Sequence, residues 1–138
     1  MIAISFARWP NDGMAVGSPG SYLYAVHDRQ LAEHGGLDGV RDKGAVECAL
    51  ARPQNLDVYA DADAAALAVA YAYGLARNLG FADGNKRTAW VVARLFLADN
   101  GYRLKFEPVD AVRTMEMVAA GALEEAALGE WFRQRIAE

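Results

Sequence analysis

Leu79-Gly80-Phe81-Ala82-Asp83-Gly84-Asn85-Lys86-Arg87-Thr88 is a short loop with two glycines and two adjacent cations, set between two of the most apolar stretches of the chain. Upstream, the stretch from Ala62 to Leu79 is dense in alanine and carries Leu67, Val69, Tyr71, Tyr73 and Leu75 on nearly every side. A helix apolar all round belongs in the interior. Gly80 suits the left-handed residue that stops such a helix. Downstream, Asn85 opens a second helix through Trp90, Val91, Val92, Leu95, Phe96 and Leu97 to Asn100-Gly101. Two central buried helices therefore flank one charged loop.

Working outward, Tyr22, Leu23, Val26, Gln30 and Leu31 recur at helical spacing after Ser21, a plausible N-cap, and Gly35-Gly36 ends that helix. Leu37 to Gly44 reads as a loop, followed by a short helix from about Ala45 to Ala51 that Pro53 closes. Gln54 to Tyr59 reads as irregular, and Asp61 and Asp63 are acids placed to start the alanine-rich helix and complement its positive end. Tyr102 to Phe106 alternates briefly. Two more helices are expected, from Pro108 to Ala119 and from Glu124 to Ala137, the latter with Leu128, Trp131, Phe132 and Ile136 as its inner stripe. The expectation is an all-α bundle of about six helices over residues 21–138. It is preceded by a partly irregular extension, residues 1–20, that carries the breaker clusters Pro10-Asn11-Asp12-Gly13 and Gly17-Ser18-Pro19-Gly20.

A chain of 138 residues and 14.9 kDa is large enough for one domain with a real core. Net charge is −4 and the isoelectric point about 5.2, which argues against a nucleic-acid binder. The single cysteine, Cys48, rules out an internal disulfide framework, and its setting beside Ala49-Leu50-Ala51 suggests a buried thiol in a reducing compartment. The N-terminus lacks the pattern of a secretory signal, and the longest uncharged apolar run, Ala64 to Ala76, is shorter than the roughly 18 to 20 residues a bilayer needs. A cytoplasmic protein that engages neither membrane nor nucleic acid is expected.

The charged loop is the one place suited to an anion. The first N–H groups of a helix lack internal partners and sit at the positive end of its dipole, so phosphate held there gains hydrogen bonds and favourable charge together. Gly84 lets the backbone approach closely. Asn85, Lys86 and Arg87 start the helix; Arg87 offers a planar fork for two phosphate oxygens and Lys86 a compact charge. Asp83 is the nearest carboxylate and a candidate oxygen ligand for Mg²⁺. Taken singly, each residue has a plainer role: a turn at Gly84, a cap at Asp83, a solvated first turn at Lys86 and Arg87. Cations in a helix's first turn oppose its dipole, however, which favours a ligand there. This is not a Walker loop, because Asn85 separates Gly84 from Lys86 and a helix precedes.

The same residues resemble the signature of the Fic/Doc family, His-x-Phe-x-Asp/Asn-Gly/Ala-Asn-Lys/Gly-Arg, and Lys86-Arg87-Thr88 is similar to its Doc branch of toxins from toxin–antitoxin pairs. The likeness runs from about Ser21 to Phe132. It includes Val26-His27-Asp28-Arg29-Gln30, Gly35-Gly36, Gly39 to Gly44, Ala51-Arg52-Pro53-Gln54-Asn55 and Tyr71 to Asn78. The resemblance implies a compact helical Fic fold with the motif loop between two central helices. It also implies an ATP- and Mg²⁺-dependent transferase that moves the terminal phosphate of ATP onto a hydroxyl of a translation elongation factor, and a cognate antitoxin as partner. On that analogy Gly84, Asn85, Lys86 and Arg87 bind phosphates, Asp83 holds the metal, and Lys86 sets the nucleotide's orientation. Arg41 and Asp42 fall in the stretch resembling the target-docking flap.

Leu79 stands where the family pattern has its histidine base, and Gly80 where proline is common. Leucine accepts no proton, and a positioned base is worth ~10²–10⁴ in rate, so binding should survive better than turnover and the toxin is expected to be impaired. The two histidines, His27 and His34, both fall in the first helix; His27 is read as packing or capping there and His34 as lying near the helix C-terminus. The alternatives are a non-catalytic module of the same fold that binds an antitoxin or other partner, with Trp90, Trp131 and Phe132 contributing to a groove, and an AMP-transferring Fic enzyme, for which Lys86 is the less suitable residue.

Overall fold

The computed structural model of the protein describes residues 19–60 and 63–137. Among these, the chain forms six helices: α1 (Pro19–His34), α2 (Lys43–Ala60), α3 (Ala64–Asn78), α4 (Asn85–Asp99), α5 (Pro108–Ala119) and α6 (Glu125–Arg133). Two short strands, β1 (Arg103–Leu104) and β2 (Ile136–Ala137), pair antiparallel, Leu104 opposite Ile136. The architecture is all-α, as expected. Apart from Pro19 and Gly20, which start α1, the expected N-terminal extension lies outside the described residues, as does Asp61.

α3 is the central helix. Its small side chains let neighbours approach on several sides, and eleven of its residues are buried, Leu67, Tyr71 and Leu75 among them. Asp63 caps it by accepting the Ala66 N–H at 2.8 Å, and the same carboxylate takes a two-pronged bond from Arg133 of α6, Nε to Oδ2 at 2.9 Å and Nη2 to Oδ1 at 3.2 Å. α4 packs along α3 through Val92, Ala93, Phe96 and Leu97. Under it, Trp90 meets Phe106, Trp131 and Phe132 edge-on, closing the core between α4, β1 and α6. Among the described residues no helix is long and apolar enough to cross a membrane.

Four expectations are corrected. α2 runs through Pro53 to Ala60 rather than stopping near Ala51. A proline inside a helix costs about 3 kcal/mol locally, but Pro53 is buried along with Val46, Ala49 and Leu50, and α2 packs closely on α3. Tertiary burial outweighs the local penalty. The last helix ends at Arg133 rather than Ala137, because Ile136 gains more by pairing with Leu104 beside the core. The left-handed residue that ends α3 is Leu79 (φ 52°, ψ 44°), not Gly80. Gly80 is needed for another reason: a Cβ there would overlap Val46 Cγ2 and lie 3.2 Å from the Val46 nitrogen. Finally, Cys48 is exposed, on the outer face of α2, while its neighbours Ala49 and Leu50 turn inward.

Candidate functional site

The turn between α3 and α4 is held from three directions. Asn85, at the head of α4, uses both ends of its side-chain amide on one residue: Nδ2 donates to the Phe81 carbonyl at 3.0 Å and Oδ1 accepts the Phe81 N–H at 3.1 Å. The segment before α2 pairs with the loop through backbone. Arg41 and Asp42 donate to the Gly80 carbonyl at 2.8 and 3.0 Å, and Ala82 donates to the Gly39 carbonyl at 3.0 Å, around a bridge between Val40 and Phe81. From α1, buried His27 stacks on Phe81 with ring centroids 3.7 Å apart, and its Nε2 lies 2.8 Å from the Asp83 carbonyl oxygen.

Gly84 adopts φ 78°, so the chain enters α4 by a turn that L side chains disfavour. Among the described residues no side chain caps α4. Its first amides, with the dipole behind them, therefore retain the capacity for an anion. They open onto a cleft of about 800 Å³. Leu79, Asp83, Gly84, Asn85, Lys86 and Arg87 all contribute to its walls. Trp90, Phe106, Val112 and Met115 line its apolar end, where the Arg94 guanidinium sits 5.7 Å from the Trp90 ring centre and 5.0 Å from that of Phe106. Lys86 and Arg87 are exposed, and among the described residues neither forms an ion pair. Two uncompensated cations at a helix N-terminus are unfavourable for the helix and favourable for a bound polyanion.

The Asp83 carboxylate is exposed at the rim. Oδ1 accepts the Gly84 N–H at 2.9 Å, and the Leu37 N–H approaches Oδ2 at 3.4 Å. Among the described residues each oxygen takes one such contact, which leaves lone-pair capacity for a ligand. One carboxylate beside a phosphate seat suits Mg²⁺, which keeps most of its waters and takes few protein ligands. The Asn85 side chain is committed to Phe81, so what it offers a ligand is its backbone N–H. Leu79 is 47% exposed with its side chain on the cleft wall.

Arg41 and Asp42 lie outside the cleft lining, on the strand-like segment along the loop; Asp42 also caps α2 through the Ala45 N–H at 3.1 Å. The proposed aromatic groove is corrected: Phe132 is fully buried, Trp131 is held by Asp110 through its Nε1 at 3.0 Å, and of the three only Trp90 reaches the cleft. The residue missed from sequence is His27, read as serving its own helix but placed against the loop across 56 positions of chain. Its only local signal is a histidine on the inward stripe of α1 beside Leu23. His34 stays at the exposed end of α1, 4.0 Å from Glu33.

Residues 20–97, which span α1 to α4 and the whole loop, match the Fic/DOC family. Over 113 residues the chain is 33% identical to the protein kinase doc of Escherichia phage P1, covering 81% of this chain and 89% of that protein. Over 72 residues it is 47% identical to Toxin Doc of Mycolicibacterium smegmatis, covering 51% of this chain and 55% of that protein.

Proposed function

The chain belongs to the Fic/DOC family, and from that membership we propose that it is a Doc-like toxin with a cognate antitoxin, built to transfer the terminal phosphate of ATP to a hydroxyl of a translation elongation factor and impaired in that transfer at position 79. The observation that carries the reading is the N-terminus of α4, which among the described residues has no side-chain cap and no ion pair at Lys86 or Arg87, opening onto a cleft of nucleotide size. The kinase name of the phage relative supports phosphoryl transfer over AMP transfer.

In this reading the N–H groups at the head of α4 and the Arg87 fork hold phosphate oxygens, and Lys86 neutralises the charge that builds up on them. Asp83 is the residue suited to hold Mg²⁺, which when bound draws charge off the phosphates. The target's hydroxyl oxygen bonds to the terminal phosphorus as the bond to the bridging oxygen breaks. ADP leaves, and the hydroxyl proton must go to a base. Leu79, on the wall beside the phosphate seat, takes none. What remains is positioning and preorganised positive charge, often the larger part of phosphoryl-transfer catalysis. His27 does not substitute for the base, because it is 2% exposed and lies beneath the loop.

Incubation with Mg-ATP labelled at the α- or γ-phosphate and an elongation factor tests the reading. Label moving only from the γ position supports it. Label moving from the α position assigns AMP transfer instead.

A further inference from the structure

Gly84 adopts φ 78°, and glycine accepts φ of either sign almost equally well. The peptide joining Asp83 to Gly84 can therefore turn over with little local cost, since a flip changes only ψ of residue 83 and φ of residue 84. Its orientation matters because the unit is planar and trans: the Asp83 C=O and the Gly84 N–H point in opposite directions. In the structure the carbonyl faces α1, and the N–H faces the other way and holds Asp83 Oδ1 at 2.9 Å. After a flip that amide would abandon the carboxylate and leave a carbonyl oxygen, a partial negative charge, in its place next to the phosphate seat.

We infer that His27 is a positioning residue that latches this peptide, and through it fixes the Asp83 carboxylate on the cleft rim. The group 2.8 Å from Nε2 is a carbonyl, which only accepts, so Nε2 carries the proton and donates. The imidazole is itself immobilised. It is buried, its plane lies 12° from that of Phe81, and Phe81 is in turn clamped at both backbone groups by Asn85. The ring also underlies Gly84: a Cβ there would sit 3.7 Å from His27 Nε2 and Cδ2. A hydrogen bond from a locked ring thus supplies the orientational preference that glycine lacks. The role rests on the nucleotide reading only where it concerns ligand affinity.

The test pairs two variants with a measurement on the unaltered protein. His27→Phe retains a ring to stack on Phe81 and removes the donor; His27→Gln retains a donor near the Nε2 position and removes the ring. With ATP and Mg²⁺ as the titrant, His27→Phe is expected to bind about tenfold more weakly and His27→Gln to stay within about threefold, the difference one hydrogen bond makes. In the ligand-free proteins the nuclear Overhauser signal between Asp83 Hα and the Gly84 amide, which reports ψ of residue 83, should change in His27→Phe alone. A role confined to packing predicts the reverse order, with the ring-retaining variant the less affected. Nitrogen NMR of the unaltered protein should show His27 protonated at Nε2. A neutral ring carrying its proton on Nδ1 overturns the latch, as does a folded His27→Phe with that Overhauser signal unchanged. If the unaltered protein binds no ATP, the nucleotide reading fails while the Overhauser signal still decides the role of His27.

Discussion

Replacing Leu79 with histidine should restore phosphoryl transfer with little change in stability. The side chain is 47% exposed, so of the ~1.5–3 kcal/mol that full burial of a leucine is worth, only about half is at stake, on the order of 1 kcal/mol. Against that loss, Leu79 is the one non-glycine residue at positive φ among the described residues. Histidine is several-fold enriched in that region relative to leucine, so the exchange recovers part of the ~1–2 kcal/mol that the left-handed conformation costs. The two effects oppose each other, and the melting midpoint should move by less than about 4 °C. The imidazole would stand on the cleft wall beside Asp83, Lys86 and Arg87, at the position where leucine offers no proton acceptor. A positioned base contributes ~10²–10⁴ in rate, roughly 3 to 5 kcal/mol of barrier. The assay is initial rate of label transfer from γ-labelled ATP to an elongation factor, beside a thermal melt of both proteins. A variant that melts normally and transfers no faster than the parent refutes the assignment of the missing base to position 79.

Three further outcomes follow from the packing. Gly80→Ala should destabilise the fold by about 1–3 kcal/mol in urea unfolding, because its Cβ would overlap Val46 of α2; a loss under ~0.5 kcal/mol would contradict that close approach, and proline at 80 meets the same obstacle. Asn85→Ala should cost a similar ~1–3 kcal/mol, since it strands both backbone groups of Phe81 in a part-buried turn, and equal unfolding midpoints would show the clamp to be idle. The Asp63 carboxyl is held below its ordinary 3.8 mainly by the hydrogen bond from Arg133, so its contribution is present above that pH and is lost as pH falls through the lower folded value. Both partners are substantially exposed, which limits the effect to ~0.2–1 kcal/mol; Asp63→Asn retains a cap and should flatten this acid limb, and an unchanged limb would point to other carboxylates.

α3, α4 and the loop between them were legible in the sequence because their signals are local. Alanine and large apolar side chains on all faces leave no alternative to burial, and a glycine-bearing turn with two cations has few other uses. What stayed hidden depended on contacts between distant segments. Pro53 reads as a stop until its burial against α3 is known, and Ile136 fits a helical stripe as well as it fits its strand opposite Leu104. Choosing between Leu79 and Gly80 as the left-handed residue required the position of Val46, which leaves room only for glycine at 80. The same holds for His27, whose carbonyl partner is 56 residues away and carries no mark in the sequence. Cys48 illustrates the opposite error: its apolar neighbours are buried, but one position along a helix is a rotation of about 100°, enough to face solvent.

The most direct test of the central claim, that the entrance to α4 seats the phosphates of a nucleotide, is calorimetric titration of the unaltered protein and of Arg87→Ala with Mg-ATP. A hydrogen bond to a charged group is worth ~1.5–3 kcal/mol, so binding should be measurable in the first and weaker by about 10- to 100-fold in the second. No binding by the folded, unaltered protein, or equal affinity in both, would contradict the account.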